Sequence, residues 1–297
     1  MTRKTTKLMI TLTAILMIAP LIMNVDAITT PPIVHLTCDN TSHTNPSDFG
    51  SRAGTTTTIG VLEYRASPLI NSCYFDETND HIDLSDESDF DFTNTDDFSV
   101  AFWVKVDGTE TGGNDIMVSK GADLLNVGWY VHTNDNDIVR FEIDDGSSNN
   151  HVISTTTITD DEWYHVTVTY DGSSNQSGMK IYINGSLDAT GIGNTIVGFL
   201  NNNVVVIGDD DNGSNRFKGD LDDIRIYDYA LTSDQVQDLY RFNPLIHTEL
   251  LEAIEDLQSQ ITSINGTVQD NVAEIDDLYD FWDDLRASII TWLAGRP

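Results

Sequence analysis

Residues 98–106, which read FSVAFWVKV, decide the fold. Every second residue from Phe98 to Val106 is Phe or Val, whereas Ser99 and Lys105 stand among the residues between them. A period of two places one set of side chains on one face of a β-strand, because successive side chains point to opposite faces. The stretch therefore predicts a strand with one face in a hydrophobic core.

The same pattern recurs on both sides of this strand, in short runs that are separated by turns. Apolar runs or alternations occur at residues 33–37, 73–75, 115–120, 128–132, 138–143, 166–170, 181–183 and 204–207. Turn pairs stand at Asp145-Gly146, Asp171-Gly172, Asn184-Gly185 and Asn212-Gly213. Roughly ten to fourteen strands with no intervening helix predict a mainly β chain, an antiparallel β-sandwich or jelly roll.

The charge of the chain excludes one class of partner. The 297 residues include 48 acidic and only 15 basic ones, which gives a formal net charge of −33. Nucleic-acid binding needs clustered Lys and Arg, so we expect no nucleic-acid partner. Such an acidic surface suits cations or a salty exterior that screens its self-repulsion.

The N-terminus has the features of an export signal. Arg3, Lys4 and Lys7 precede an apolar run at residues 8–23, and Val25-Asp26-Ala27 supplies small residues before a cleavage site. We therefore predict a signal peptide over residues 1–27 and a secreted or cell-surface protein; an uncleaved anchor is the alternative. No later segment approaches the roughly 18 apolar residues of a membrane span, so none is expected after the signal is removed.

Export changes the interpretation of the two cysteines, Cys38 and Cys73. Outside the cytoplasm a cysteine pair predicts a disulfide more often than a metal or redox site. Each lies next to a strand-like run, so the bridge would tie the first strand to a neighbour. Two buried free thiols are the alternative.

Four segments in order resemble the laminin-G-like domains of the concanavalin A-like lectin and glucanase superfamily. They are residues 73–82, 97–105, 163–172 together with 179–186, and 217–231, and a capping box at Thr232–Gln235 then opens a short helix through Tyr240. The resemblance implies a jelly-roll domain over residues 28–245. It specifies the fold more narrowly than the function, because this sandwich carries lectins, adhesion modules and glycosidases alike.

The resemblance also implies a structural Ca²⁺ site between early and closing strands. Carried over by motif, its ligands would be Asp76, Asp80 and Asp222, with Asp39 as a weaker addition. Calcium needs several converging oxygen ligands, and close carboxylates repel one another without a cation. The acidic loop at residues 209–213 is a second candidate. The alternative is that these acids belong to a chain that is acidic throughout.

Glycosidases of this superfamily carry two catalytic carboxylates on one strand in the pattern E-x-D-x-x-E. Glu142 and Asp144 begin that pattern, but Ser147 stands at its last position. A pair of carboxylates must flank the scissile bond, and the incomplete motif does not supply one here. We therefore predict that the chain is not an enzyme.

A sugar ligand needs an aromatic face together with amide and carboxylate groups. Trp129, Tyr130, Asp145 and Asn149 supply these residue types and are the predicted ligand-binding residues.

After Pro244 the period changes from two to a 4-3 repeat. Its thirteen core positions are apolar except Asn271, which predicts a coiled coil over residues 246–297 that joins copies of the chain. These positions are residues 250, 254, 257, 261, 264, 268, 271, 275, 278, 282, 285, 289 and 292. A helical hairpin that turns at Asn265-Gly266 is the alternative. The segment is acidic, so we expect assembly to depend on salt or divalent cations.

Together these features predict a secreted, non-catalytic recognition protein. Its laminin-G-like domain would bind a glycan or a cell-surface protein, and the coiled coil would multimerise it. The alternatives are a structural cell-envelope or filament component, and a glycoside hydrolase whose carboxylates pair only in space.

Overall fold

The computed structural model describes residues 30–39, 46–51, 56–60, 62–67, 70–85, 87–108, 113–122, 124, 126–134, 136–210, 212–213, 215–241, 259–260, 263–264, 275 and 277–288. The chain divides into two compact units, residues 1–243 and 244–297. The predicted signal peptide lies outside the described residues. None of the helices in the described part of the chain is both long and apolar enough to cross a membrane.

The first unit is an antiparallel two-sheet sandwich, as the alternation predicts. Its strands in the described residues are β1 (Val34–Thr37), β2 (Ser47–Asp48), β3 (Thr56–Ile59), β4 (Glu63–Ser67), β5 (Ile70–Asp76), β6 (His81–Leu84), β7 (Asp97–Val106), β8 (Asp115–Lys120), β9 (Gly128–Thr133), β10 (Ile138–Asp144), β11 (Asn149–Thr157), β12 (Tyr164–Asp171), β13 (Met179–Ile183), β14 (Ser186–Thr190), β15 (Val205–Ile207) and β16 (Lys218–Tyr227). Short 3-10 turns occupy Glu87–Phe90 and Gln176–Gly178.

The two sheets share one hydrophobic core. One sheet has the order β14-β13-β12-β7-β16-β1-β2, with β5 also paired to β16 and β4 paired to β5. The other has the order β11-β10-β9-β8-β15-β6-β3. Phe98 and Phe102 on β7 pack in the same core as Val131 and Phe141 of the facing sheet. The residues that alternate in the sequence are thus those that bury the inner face of β7.

A short helix covers part of the outer face of the first sheet. Helix α1 (Ser233–Arg241) buries Val236 and Leu239 against Ala101 and Tyr227. The predicted capping box forms: the Gln235 backbone N–H donates to Thr232 Oγ1 at 3.3 Å, and the Thr232 N–H donates to Gln235 Oε1 at 2.9 Å.

Strand β16 has two successive partners along one edge. Its first half pairs with β5 through Leu221 and Cys73, and its second half pairs with β1 through Ile224 and Leu36. Cys38 directly follows β1, and it is disulfide-bonded to Cys73. The predicted bridge therefore forms, and it links two strands that follow each other end to end along β16.

The described residues of the second unit are helical and exposed. They comprise residues 259–260, 263–264, 275 and 277–288. Ile264, Ile275, Leu278, Trp282 and Leu285 of the predicted seam are among them; its other eight positions lie outside the described residues. The coiled coil itself stays a prediction.

Replacing both cysteines, Cys38→Ala with Cys73→Ala, is expected to destabilise the sandwich. The bridge closes a loop across a sequence separation of 35 residues, for which chain entropy gives a loss of about 3–4 kcal/mol. Thermal melting of the oxidised protein and of the double variant, with and without reductant, measures this. Equal midpoints, or a variant that is still sensitive to reductant, would contradict it.

Candidate functional site

The pairing of β6 with β15 brings two acidic segments together. Ile82 pairs with Ile207 and Asp83 pairs with Val206 in antiparallel register. The residues before β6 and those after β15 therefore meet at one end of this strand pair. These are the turn at 77–80 and the segment at 208–213, which contains the acidic loop that is the second calcium candidate.

A cavity of about 490 Å³ opens where these segments meet. We call it the β6–β15 pocket. Its described walls combine carboxylates, amides, one guanidinium, one imidazole and two aliphatic side chains. They are Ile59, Asn79, His81, Asp83, Val206, Asp209, Asp210, Asn212, Gly213 and Arg216.

The charged groups of the pocket are held by specific contacts. Asp209 is 1% exposed, and its Oδ2 accepts a hydrogen bond from Arg216 Nε at 3.2 Å. Asp210 is 2% exposed, and its Oδ2 accepts one from Asn215 Nδ2 at 2.6 Å. Burial raises the pKa of Asp209 to about 6, although the Arg216 charge acts in the opposite direction. The pocket therefore has a net acidic lining that an arginine only partly neutralises.

The backbone at Gly208 lets the chain leave β15 close to β5. Gly208 has φ +84°, and a Cβ there would lie 2.3 Å from the Phe75 ring. Both the left-handed backbone and the contact require glycine. Hydrogen bonds from Gly208 N to Met117 O at 2.9 Å and from Phe217 N to Gly208 O at 3.0 Å then fix the start and end of the acidic segment.

The three predicted calcium ligands do not converge. Asp76 pairs with Lys218 on β16, and Lys218 lies four residues before Asp222, which is about 13 Å at the rise of a strand. Asp80 lies in the turn before β6, in the other sheet. Among the residues that the structure describes, no group of three His, Cys, Asp or Glu side chains is placed to hold a metal ion. The residues present therefore do not fit the expected calcium site.

Asp222 has a different environment from a metal ligand. It is 1% exposed, and it accepts hydrogen bonds from Ser67 Oγ at 2.7 Å and from the Asp223 N–H at 2.8 Å. Burial raises its pKa to about 7, and the neighbouring Asp223 and Asp39 carboxylates act in the same direction. Asp222 is a buried carboxylate at the point where β16 changes partners.

The predicted ligand residues do not form a shared binding face. Trp129 and Tyr130 are 1% and 0% exposed, so neither presents its ring to a ligand. The Trp129 ring packs on Phe98 in the core. Asp145 accepts backbone hydrogen bonds that shape its own turn, and Asn149 donates to Glu142. A ligand role for Asp145 and Asn149 stays a prediction.

The incomplete glycosidase pattern is buried and internally bonded. Glu142 is 1% exposed, and its carboxylate lies 3.0 Å from Arg140 Nε and 3.5 Å from His132 Nε2. Asp144 is 8% exposed and accepts a hydrogen bond from Gly146 N at 2.7 Å. Both carboxylates are therefore buried within the sandwich, whereas catalytic acids must reach the scissile bond of a substrate.

Several pocket residues have no role that the sequence alone predicts. They are Asn79, His81, Asp83 and Arg216, although His81 and Asp83 alternate with Ile82 and Leu84 and so point away from the core. That alternation is the signal by which they could be found. Which loop faces them depends on strand pairing, which the alternation does not specify.

A protein-family profile, described as the concanavalin A-like lectin/glucanases superfamily, matches residues 76–237. Two curated relatives are non-toxic nonhemagglutinins of Clostridium botulinum phages. The type C protein is 27% identical over 168 residues, which is 56% of this chain and 13% of that protein. The type D protein is 27% identical over 115 residues, 38% of this chain and 9% of that protein. The match thus spans only a small part of either relative.

Solved structures of similar fold include the binding domain of Paraclostridial Mosquitocidal Protein 1. Its TM-score is 0.58 at 20% identity, over 71% of this chain and 52% of that chain. A botulinum neurotoxin type C structure, described by a dependence of cell entry on two ganglioside molecules, has a TM-score of 0.55 at 16% identity, over 72% and 51%. At 20% and 16% identity, these two matches show that the chain shares the fold of these proteins.

Replacing Arg216 is expected to destabilise the pocket in a pH-dependent way. Arg216→Gln leaves the Asp209 carboxylate buried without its cation, a loss of about 1–2 kcal/mol because Arg216 is partly exposed. The folded-state pKa of Asp209 is raised, so its ionisation costs stability as pH rises from 4 through 6. The drop in melting temperature should be larger at pH 8 than at pH 5. Arg241→Gln, at the exposed end of α1, is the control; an equal drop at both pH values would contradict the account.

Removing the buried charge of Asp222 is expected to stabilise the sandwich. Its folded-state pKa of about 7 lies above the ordinary 3.8, so ionisation weakens the folded state as pH rises through that window. Asp222→Asn keeps an acceptor for the Asp223 N–H and should add on the order of 2 kcal/mol at pH 8. The gain should shrink towards pH 4. Chemical denaturation across this range measures it, and a loss of stability at pH 8 would refute it.

Proposed function

The chain belongs to the concanavalin A-like lectin/glucanase superfamily, and we propose that it is a secreted, non-catalytic recognition protein that binds a glycan in the β6–β15 pocket. The proposal is carried by one observation: a cavity lined by carboxylates, amides and a guanidinium at the end of a strand pair. Pockets of this kind, concave with a few convergent polar groups, are the usual sites of small ligands.

The chemistry of the lining suits a polyhydroxylated ligand. Sugar hydroxyls both donate and accept hydrogen bonds, so they can meet carboxylate oxygens, which only accept, and the Arg216 guanidinium, which only donates. The amides of Asn79 and Asn212 can do either. Ile59 is 39% exposed and offers an apolar surface to the C–H groups of a ring.

The charge of the lining narrows the class of glycan. The described lining contains three carboxylates, those of Asp83, Asp209 and Asp210, and one permanently charged cation, Arg216. Like charges in a partly enclosed site repel strongly because the local dielectric is low. We therefore infer a neutral or amine-bearing glycan rather than a sulfated or carboxylated one. The botulinum neurotoxin of similar fold, whose cell entry depends on two ganglioside molecules, supports glycan binding in general. It does not support the choice of a neutral or amine-bearing glycan.

Multimerisation through residues 246–297 completes the proposal. A single sugar site binds weakly, and several sites on one assembly raise the apparent affinity through effective concentration. The exposed apolar side chains of the second unit support this part of the proposal.

A protein partner is the second candidate, in keeping with a structural role at the cell envelope. Ile192 and Val197 are 87% and 66% exposed, and Leu187 and Leu200 are 55% and 54% exposed. All four belong to residues 187–200, and exposed apolar side chains that form a contiguous patch mark interaction surfaces.

The two rim amides provide the test of the pocket. Both are exposed, so Asn79→Ala and Asn212→Ala should keep the fold, and each is expected to lower glycan affinity about three- to tenfold through a lost hydrogen bond. A glycan array, followed by calorimetry on its best neutral hit, measures this. Asn202→Ala, an exposed amide outside the pocket, is the matched control. Binding that all three variants leave unchanged would place the site elsewhere, and an array without a hit would favour the protein partner.

A further inference from the structure

The second unit carries a broad apolar face on its helix. Six large apolar side chains at residues 275–285 are 37–63% exposed. They are Ile275, Leu278, Tyr279, Phe281, Trp282 and Leu285. A face with this many exposed apolar side chains marks an interaction site in a protein whose surface is otherwise acidic.

The spacing of these residues identifies the centre of the face. In heptad notation Ile275 and Trp282 occupy a positions, and Ile264, Leu278 and Leu285 occupy d positions. An intramolecular hairpin would cover such a seam within one chain. Ile264 and Ile275 are instead 62% and 49% exposed, which argues against the hairpin. In the same heptad register Gly266 is an f position, and f positions are not part of the seam.

We propose that this face pairs with the same face of a second copy, in a parallel two-stranded coiled coil. The inference rests on the proposed function, whose multimerisation it specifies in number and direction. In a parallel pair the two helices run in the same direction, so both chains enter the coiled coil at the same end. Each assembly would then contain two β6–β15 pockets, which raises the apparent affinity for a multivalent glycan.

The residue types at the core positions select two strands. Five of the six a positions from 254 to 289 are Ile or Val, and four of the seven d positions from 250 to 292 are Leu. β-Branched residues at a with Leu at d favour parallel dimers, whereas Ile at both positions or the reverse arrangement favours larger bundles.

The distribution of charge permits two acidic helices to meet. Residues 246–297 contain eleven acidic residues, and ten of them occupy b, c or f positions of the heptad register, which lie away from the seam of a coiled coil. Glu274, at a g position, is the exception. In the proposed pair most of the acidic side chains would therefore face solvent, where salt screens the remaining repulsion. An acidic helix of this kind also does not suit a membrane surface, which attracts helices rich in Lys and Arg.

The flanking positions favour the parallel direction. In a parallel pair, the g residue of one helix lies beside the e residue of the following heptad on the other. Phe281 at g thus meets Arg286 at e, one of two arginines after residue 245. A guanidinium over an aromatic ring is attractive. Phe281 and Arg286 of both chains would form this contact twice, on the two sides of the seam.

A single introduced cysteine tests direction and register in the full mature chain. Cys38 and Cys73 are bonded to each other, so Leu285→Cys adds the one free thiol. In a parallel, in-register pair the two introduced thiols face each other across the seam and should form a covalent dimer almost completely under mild oxidation. Asp284→Cys, at the outward c position, is the matched control and should remain uncrosslinked. Light scattering of the unmodified mature chain should give twice the mass of one chain.

Every other outcome shows whether the parallel dimer alone fails or the proposed multimerisation fails with it. The mass of a single chain would overturn both this inference and the proposed multimerisation, without touching glycan binding in the pocket. A twofold mass without a Leu285→Cys crosslink would mean an antiparallel pair, and a mass of three chains or more would mean a larger bundle; either would overturn this inference alone. Equal crosslinking of Asp284→Cys would show random collision and would also overturn it.

Discussion

The register of the short β6–β15 pair is the constraint on which the candidate site depends. Three residue pairs set it, and Asp83 opposite Val206 is the middle one. A slip by one residue would turn Asp83 into the core and Ile82 towards solvent, because side chains alternate between faces. Burial of Ile82 and Ile207, both 0% exposed, therefore fixes where the two acidic segments meet. The pocket is a consequence of core packing rather than of a binding motif in one stretch of sequence.

The closing strand β16 shows how this chain keeps its acidic residues inside a stable sandwich. Asp220 lies 3.0 Å from Lys105, and Asp223 lies 2.9 Å from Arg225 and 2.6 Å from His35. Asp222 is held by the Ser67 hydroxyl and a backbone N–H, and burial raises its pKa. The disulfide at the same junction holds β1 and β5 in line along β16, where backbone pairing alone would leave a break.

Most of the sandwich can be predicted from the sequence, but little of the site can. Strands with a clean alternation, such as β7 and β12, are evident, as are α1 with its capping box and the disulfide. The short or polar strands β2, β3, β4, β11 and β14 are not, because Thr- and Ser-rich segments carry no apolar period. The prediction that Trp129 and Tyr130 contact a ligand is at odds with their burial, since adjacent residues of a strand can both be buried when both sheet faces are covered. The family motif assigns Asp76, Asp80 and Asp222 to one calcium site. The strand pairing in the structure places them apart, and the motif does not contain that information.

We propose that glycan binds at the end of the β6–β15 pair. Hydrogen–deuterium exchange of the mature protein, with and without a saturating neutral oligosaccharide, tests this most directly. Amide exchange reports protection segment by segment, so the site is located without any substitution. We predict slower exchange at residues 77–83 and 208–216 and unchanged exchange at 126–130 and 145–150. Protection only at residues 126–130 and 145–150, or at residues 187–200, which carry the exposed apolar side chains, would contradict this proposal.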